Sequence, residues 1–175
     1  MAEFIGGFSV KGDPFDPKYQ ARPVSIFQAA DKKKYALSVQ FPEEIAARYD
    51  QIGLRKQSVW EPIVRDLKKI IEKNRSTLVF VNSRRLCEKI TFLINKDELH
   101  PVAYTHHGSL SRELRRDVER KLKAGDLKAI VATNSLELGI DIGTLDEVVL
   151  IQTPPSISSG IQRIGRAGHD VGRTS

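Results

Sequence analysis

Residues 77–95, "TLVFVNSRRLCEKITFLIN", decide the fold because they join a buried strand directly to an amphipathic helix. The run "TLVFVN" (77–82) is apolar and too short for a helix, which predicts a strand buried on both faces. Ser83 follows in the position of a helix N-cap, and "RRLCEKITFLIN" has the apolar spacing of a helix. A strand and helix joined in this way form the first half of a βαβ unit.

The same alternation continues along the chain. Further apolar runs predict strands at "PVAYT" (101–105), "KAIVAT" (128–133) and "EVVLIQT" (147–153). Helices are predicted at "SVWEPIVRDLKKIIEKN" (58–74), begun by a capping box of Ser58 and Glu61, at "SRELRRDVERKLKAG" (111–125), capped by Ser111 and ended by Gly125, and at "SISSGIQRIGRAG" (156–168). The pattern predicts an α/β fold, with a parallel sheet covered by helices on both faces.

The first 42 residues are less regular. Residues 1–22 contain closely spaced glycines and prolines, which predict an irregular start in which only "AEFI" could form a helical turn. Two strand-like runs follow, "VSIFQA" (24–29) and "YALSVQFP" (35–42).

Composition restricts the class of protein. The chain has 175 residues, 40% of them hydrophobic, and its net charge of +6 favours a polyanionic partner. Its single cysteine, Cys87, excludes a disulfide framework within the chain and is expected to pack as a small apolar residue. No apolar run approaches the ~20 residues of a membrane span. The N-terminus lacks the features of a secretory signal, so we expect no membrane partner and a cytoplasmic location.

Polar residues follow the predicted strands at the points where they end. They are Asn82, Ser83, Thr105, His106, His107, Gly108, Thr133, Asn134 and Thr153. Ligands of parallel α/β sheets bind beyond the carboxyl ends of the strands, so these residues are expected to face a ligand. The phosphate-binding loop GxxxxGK[ST] is absent from the sequence, and the acidic pair Asp146–Glu147 precedes its strand, which would place it at the opposite edge. The chain is therefore not expected to bind ATP by itself.

Two stretches at strand ends are candidates for ligand contacts. In "ATNSLELGIDIG" (132–143), Thr133 offers a hydroxyl to phosphate, Gly139 permits a close approach, and Asp141 can bind a ribose hydroxyl. The alternative is a strand, a tight turn and a short strand without a ligand. In "THHGSLSRELRR" (105–116), adjacent histidines without a third ligand disfavour a metal site, and we expect a solvated loop near nucleic acid.

The stretch "QRIGRAGH" (162–169) is the most specific indication of a phosphate-binding function in the sequence. Arg163 and Arg166 lie one helical turn apart and are expected to share a face, while Gly165 and Gly168 reduce the bulk beside them. A guanidinium forms paired hydrogen bonds with phosphate oxygens, and an arginine finger stabilises the charge of a transferring phosphoryl group. The alternative is a basic helix end that contacts only solvent.

Together these stretches resemble the second RecA-like lobe of a superfamily 2 helicase. "TLVFVNSRR" resembles motif IV, "ATNSLELGIDI" resembles motif V and "QRIGRAGH" resembles motif VI, in the family's order. The wording of motifs V and VI is most similar to the large helicase-related (Lhr) proteins, ATP-driven translocases on single-stranded DNA with roles in DNA repair. The resemblance covers about residues 75–170 strongly and the first 40 residues weakly.

The resemblance implies roles for individual residues. Thr133, Ser83 and Arg84 would contact the nucleic-acid backbone, together with His107 and Gly108 of the loop after the second strand. Gly139 and Asp141 would face the nucleotide. The catalytic set would be Gln162, Arg163, Arg166 and His169, with Arg166 as the arginine finger. His169 stands where many relatives have a second arginine, and it would be a weaker finger because histidine is mostly neutral at pH 7.

The resemblance also implies what the lobe works with. ATP and Mg²⁺ would be bound mainly by a preceding RecA-like lobe of the same protein, and single-stranded DNA or RNA would be the other partner. Residues 1–21 would be the tail of that lobe and a linker, and residues 22–175 a helicase C-terminal domain cut after motif VI and inactive alone. A helicase-like module that only binds nucleic acid is the alternative, distinguished by a phosphate-binding loop upstream. A small-molecule enzyme of flavodoxin-like shape is disfavoured because no acid-base or nucleophile constellation is visible.

Overall fold

The structure, a computed structural model, describes most of the chain. The described residues are 7–13, 15–25, 35–42, 59–138, 143 and 145–167. They belong to two compact units, Met1–Lys32 and Lys33–Ser175, which we consider separately.

The first unit contains a two-stranded antiparallel hairpin, so the prediction of an irregular start over residues 1–22 is wrong. Strand β1 is Phe8–Asp13 and strand β2 is Asp16–Ala21. The closely spaced glycines and prolines favoured an irregular start, but Pro17 is accommodated because both strands of a two-stranded sheet are edge strands. Val10 lies opposite Tyr19, and the backbone N–H of Phe15 donates to Asp13 Oδ1 at 2.8 Å in the turn. The segment "AEFI" lies outside the described residues.

The second unit is a four-stranded parallel sheet. Its strands are β3 (Thr77–Phe80), β4 (Ala103–His106), β5 (Ala129–Ala132) and β6 (Glu147–Leu150). Their order is β4-β5-β3-β6, and their last residues pair directly across the sheet. The carboxyl ends therefore form one row, as the sequence predicted. Residues 35–42 form no strand, which corrects the expectation for "YALSVQFP", and most of "VSIFQA" lies outside the described residues.

The helices are α1 (Trp60–Lys73), α2 (Arg84–Asn95), α3 (Arg112–Ala124) and α4 (Ile157–Ile164). A 3-10 turn, Asn134–Leu136, follows β5. Ser83 and Ser111 cap α2 and α3 as predicted, and Gly125 ends α3 with a φ of 76°. The capping box of α1 is not confirmed, because Val59 is the N-cap without a side-chain hydrogen bond and Ser58 lies outside the described residues.

Helices cover both faces of the sheet, so the predicted α/β architecture is confirmed. Alternate residues of β3 show this, since Val79 packs with α1 and α2 whereas Leu78 and Phe80 pack with α3. Cys87 is fully buried in the first of these cores, as predicted, and its Sγ lies 2.9 Å from the carbonyl oxygen of Val131. Burial raises the pKa of its thiol to about 11, which removes thiolate reactivity at neutral pH.

Helix α4 is shorter than the predicted helix over 156–168. It ends at Ile164, and Gly165 is its C-cap. A Cβ at position 165 would lie 3.0 Å from the carbonyl oxygen of Ile161, which is closer than most Cβ contacts, so glycine suits this C-cap. Arg166 therefore follows the helix instead of sharing its face with Arg163.

Removing the cap of α3 tests this assignment. Ser111 Oγ accepts from the backbone N–H of Leu114 at 3.3 Å. Replacing an N-cap serine by alanine leaves that donor unsatisfied, so Ser111→Ala should lower the free energy of unfolding by about 1 kcal/mol. Urea denaturation followed by circular dichroism measures the change. Ser109→Ala, outside the helix, is the matched control, and an equal effect of both substitutions would contradict the cap.

Candidate functional site

The candidate site is the row of carboxyl ends and the segments that follow it. Backbone hydrogen bonds continue one residue past the strands: Val81 N–H donates to the carbonyl of Ala132 at 2.9 Å, and Thr133 N–H donates to the carbonyl of His106 at 3.2 Å. The segments after β3, β4 and β5 therefore leave the sheet side by side. This brings Ser83, Gly108 and Thr133 to one edge, as predicted.

The predicted nucleic-acid contacts differ in accessibility. Ser83, Arg84 and Gly108 are exposed, and a Cβ on Gly108 would meet no atom within 4 Å among the described residues. Arg84 Nε lies 3.1 Å from Glu88 Oε1, an exposed ion pair within α2 that contributes little to stability. Thr133 is buried, with 9% of its surface exposed. Its assignment remains a prediction.

The two histidines are not in a solvated loop, which corrects that expectation. His106 is 1% exposed and His107 is 3% exposed. Strand β4 extends to His106, whose ring lies beside α3, and the ring of His107 lies beside α2. His107 Nε2 lies 3.4 Å from Glu88 Oε1 of α2, although neither ring nitrogen forms a hydrogen bond within the part of the chain that is described. The assignment of His107 to nucleic-acid contact remains a prediction. Across the described residues, no three metal-ligating side chains gather into a site.

His106 connects the end of β4 to α3 and to the 3-10 turn. Its Nδ1 lies 2.8 Å from Ser135 Oγ and its Nε2 lies 3.1 Å from Glu119 Oε1. Burial lowers the pKa of His106 below its usual value of 6.5, and Glu119 opposes this effect only in part. The neutral ring then donates from Nε2 to Glu119, and the single proton of the Ser135 hydroxyl has two acceptors within reach, His106 Nδ1 and the His106 carbonyl oxygen at 2.9 Å.

The stretch "QRIGRAGH" (162–169) contains the most deeply buried charge of the described residues. Arg163 is 2% exposed, and its Nε and Nη2 lie 2.7 and 2.6 Å from Glu137 Oε1. Its Nη1 donates to Asn82 Oδ1 at 2.9 Å, and the guanidinium carbon lies 5.1 Å from the centre of the Phe80 ring. Arg163 therefore ties α4 to the segments after β3 and β5 within the lobe. Its place in a catalytic set remains a prediction.

Arg166 is only half-buried. Its Nε donates to the backbone carbonyl of Glu137 at 3.1 Å, and Nη2 donates to the same oxygen. Arg163 and Arg166 thus do not share a helical face, but both guanidinium groups converge on Glu137. Gln162 is half-buried on α4. Gly139, Asp141, Gly168 and His169 lie outside the described residues.

Sequence reasoning missed Glu137, and it expected Asn82 to face a ligand, whereas the Asn82 side chain is bonded within the lobe. Asn82 receives the Arg163 bond, and its side-chain nitrogen donates to the carbonyl of Thr153 at 2.8 Å. The available signal was a single acidic residue in the apolar run "SLELGI" and a single arginine in the apolar helix "ISSGIQRI". Isolated opposite charges in apolar surroundings are expected to pair, because an unpaired buried charge is costly.

The acidic pairs lie at the opposite edge of the sheet, as predicted for Asp146–Glu147. Asp146 Oδ2 accepts from the backbone N–H of Arg75 at 2.8 Å, and Glu147 Oε2 accepts from Asn74 Nδ2 at 2.8 Å. The hydrogen bonds from Arg75 lower the pKa of Asp146. Asp97–Glu98, a second acidic pair that the sequence reasoning overlooked, precedes β4 and lies at this same edge.

Comparisons with known proteins identify the family. A model of the helicase conserved C-terminal domain matches residues 62–170, which is more than half of the chain. The chain belongs to this family. It is 37% identical over 87% of its length to "Lhr helicase/ probable uracil glycosylase" of Mycolicibacterium smegmatis, and 37% identical over all of its length to "ATP-dependent helicase Lhr-Core protein 2" of Thermococcus barophilus.

A solved structure supports the same conclusion for the fold. The structure of Mycobacterium smegmatis helicase Lhr bound to ssDNA and AMP-PNP matches 88% of the chain with a TM-score of 0.74 and 41% identity. The chain spans 12% and 19% of the lengths of the two relatives and 20% of the chain in the solved structure. The predicted RecA-like fold and the resemblance to an Lhr-type helicase lobe are confirmed. No helix in the described part of the chain is both long and apolar enough to span a membrane.

The titration of His106 tests the geometry beneath this edge. Because Glu119 raises its pKa and Arg115 lowers it, Glu119→Gln should lower the pKa further and Arg115→Ala should raise it. Imidazole resonances followed by NMR across a pH series measure these shifts. The unfolded chain takes up this proton more readily, so the free energy of unfolding should fall as pH drops from about 6.5 through the lower folded pKa. A folded pKa at or above 6.5 would contradict the buried neutral ring.

Proposed function

We propose that this lobe is the second motor lobe of an ATP-dependent superfamily 2 helicase or translocase that acts on single-stranded nucleic acid. The observation that carries the proposal is the position of Arg166. Its half-buried guanidinium follows α4 and is held by the Glu137 carbonyl, beside the segments that leave the carboxyl ends of the strands. The names of the relatives support the ATP dependence, and the solved relative bound to ssDNA and AMP-PNP supports both ligands.

The geometry favours Arg166 over Arg163 as the arginine finger. The Arg163 guanidinium is bonded to Glu137 and Asn82 and is nearly inaccessible. An arginine finger must reach a phosphate that another lobe binds, which requires a guanidinium at the surface. Arg166 meets this requirement better than Arg163, because its side chain is half-buried whereas only 2% of Arg163 is exposed.

ATP and Mg²⁺ fit this lobe differently. The Arg166 guanidinium fits a phosphate, since it donates from a planar, permanently charged group. The carboxylates of Asp146 and Glu147 are bonded to Arg75 and Asn74 at the opposite edge, so they do not fit Mg²⁺ at this site. When bound, Mg²⁺-ATP supplies the phosphoryl group and neutralises part of its charge. We assign most of its binding to a preceding RecA-like lobe, with Gly139 and Asp141 contributing from this one.

The remaining parts of the proposal concern the nucleic acid and the whole protein. Ser83, Arg84, Gly108 and Thr133 contact the phosphate backbone, because they gather at the ligand-binding edge and are accessible or offer a hydroxyl. Residues 1–21 belong to the end of the preceding lobe and a linker. A role in DNA repair in the cytoplasm is the function that the Lhr resemblance favours.

Loss of Arg166 tests the central assignment. In the full-length protein, Arg166→Ala should lower ATP turnover by about 10³-fold, the low end for loss of an arginine finger, and leave ATP binding nearly unchanged. Arg166→Lys should restore little, because an ammonium cannot form the planar fork, and His169→Ala should cost less than Arg166→Ala. Steady-state ATPase with saturating single-stranded DNA and a nucleotide-binding assay measure the two effects.

Arg120→Ala is the matched control, since Arg120 is an exposed arginine of α3 paired with Asp117. Its turnover should remain normal. Normal turnover of Arg166→Ala would contradict the finger and favour a lobe that binds nucleic acid without serving an ATPase.

Binding of single-stranded DNA to this chain alone tests the proposed edge. A half-site makes few phosphate contacts, so the affinity should be low, with a dissociation constant on the order of 10⁻⁴ M. The affinity should decrease further as the salt concentration rises. Arg84→Ala should reduce the slope of the logarithm of affinity against the logarithm of salt concentration by about the value of one phosphate contact. Arg120→Ala, which removes the same charge, should leave this slope unchanged. Fluorescence anisotropy with a labelled oligonucleotide measures this, and salt-independent binding or equal effects of both variants would count against the edge.

A further inference from the structure

Glu137 is the residue through which motif V contacts motif VI. It follows the 3-10 turn Asn134–Leu136 directly, and its side chain is 12% exposed. Its Oε1 accepts two hydrogen bonds from α4, from Ser159 Oγ at 2.9 Å and from Arg163 Nε at 2.7 Å, and it forms an ion pair with Arg163 Nη2 at 2.6 Å. These side-chain contacts between α4 and Glu137 therefore all end on one carboxylate oxygen, Glu137 Oε1.

Polar contacts, and not apolar packing, hold α4 against the rest of the lobe. The buried residues of α4 are Ser159, Gly160 and Arg163, whereas Ile157 is 85% exposed and Ile161 is 61% exposed. Removing one partner of a buried ion pair leaves an uncompensated charge that must regain solvent. Without the Glu137 carboxylate, α4 would turn or shift until the Arg163 guanidinium reached water.

The backbone of Glu137 holds the second arginine. Its carbonyl oxygen accepts from Nε and Nη2 of Arg166, and the backbone N–H of Arg166 donates to the carbonyl of Arg163 at 3.1 Å. The Arg166 guanidinium thus depends on Glu137 twice. It is held directly by the carbonyl, and indirectly because the carboxylate fixes the turn of α4 that Arg166 follows.

We propose that Glu137 is a positioning residue for Arg166, which it holds in place for contact with a phosphate. This rests on the proposed function of Arg166 as the arginine finger. Glu137 itself does not touch the nucleotide, because its carboxylate is bonded within the lobe and would repel a triphosphate. Its side chain fixes the position of the Arg166 guanidinium relative to a phosphate bound by the other lobe.

The proposal predicts a specific loss in catalysis. A displacement of about 1 Å in a catalytic group can cost ~10²-fold in rate, so Glu137→Gln should lower kcat for ATP by roughly 10- to 100-fold. Glutamine retains the size and one acceptor oxygen but removes the charge that holds the guanidinium. The KM for ATP and the affinity for single-stranded DNA should stay within about twofold, because a finger acts mainly on charge that develops in the transition state.

The experiment uses the full-length protein with saturating single-stranded DNA. Four variants are compared for kcat and KM: Glu137→Gln, Arg166→Ala, the double variant, and the control Glu98→Gln. Glu98 pairs with Lys68 at 2.7 Å at the opposite edge of the sheet, so its substitution also removes a paired carboxylate but should leave kcat unchanged. Single-turnover assays extend the measurement to the slow variants.

The double variant separates positioning from general damage to the fold. If Glu137 acts through Arg166, Glu137→Gln lowers kcat only when Arg166 is present and has no further effect in Arg166→Ala. A purely structural role would lower kcat by the same factor in both backgrounds, and that result would overturn the proposal. Normal kcat in Glu137→Gln would also overturn it.

The outcomes remain distinct from a failure of the proposed function. Near-normal turnover in Arg166→Ala would overturn the finger, whatever Glu137→Gln shows, and this proposal with it. Thermal unfolding establishes that each variant is folded. If Glu137→Gln does not fold, Glu137→Gln combined with Arg163→Met replaces it in the cycle, because this pair removes both buried charges and is tolerated more easily than one unpaired charge.

Discussion

The buried ion pair between Arg163 and Glu137 is the interaction on which the arrangement of the candidate site depends. The first three helices are held on the sheet by leucine, isoleucine and valine side chains, such as Leu67 of α1, Ile90 of α2 and Leu122 of α3. Helix α4 buries a guanidinium instead. Its position is therefore set by hydrogen bonds with defined directions, and not by the removal of apolar surface from water.

The same guanidinium joins three segments that are distant in sequence. Asn82 follows β3, Glu137 follows the 3-10 turn and Arg163 lies on α4, so the three segments that resemble helicase motifs IV, V and VI meet at one cation. The strand register makes this possible, because the last residues of β3 and β5 are paired and deliver the next residues side by side. A buried ion pair adds little net stability relative to apolar packing, so its value here is geometric.

Much of the fold could be predicted from the sequence, because its signals are local. The strands of the sheet and the caps at Ser83, Ser111 and Gly125 follow from apolar runs, hydroxyl residues and a glycine at helix ends. The hairpin β1–β2 could not, because its pairing of Val10 with Tyr19 joins residues whose local pattern contains glycine and proline. Composition alone favoured a loop there.

The candidate site could be predicted in part. The convergence of strand ends follows from the parallel sheet, but the burial of particular side chains does not. His106 and His107 were expected in solvent, and their burial results from helices packed against the end of β4, which no local pattern encodes. Arg163 and Arg166 have the same chemistry and lie three residues apart in one predicted helix, yet only Arg163 is deeply buried. The helix ends between them, and the Glu137 carboxylate pairs with Arg163.

The exposed isoleucines of α4 show why a charge, and not apolar periodicity, decides the rotation of this helix. Ile157 and Ile161 are exposed and Ile164 is half-buried, although the three recur with helical spacing and on apolar pattern alone this face would turn toward the sheet. That rotation would expose Arg163 and leave the Glu137 carboxylate without its partner beside the apolar core. An unpaired buried charge costs about 3–5 kcal/mol, which exceeds the gain of about 1.5–3 kcal/mol from burying one aliphatic side chain, and the hydrogen bonds of Ser159 and Asn82 would also be lost. The buried Arg163 thus determines the position of Arg166, the residue that we propose contacts a phosphate.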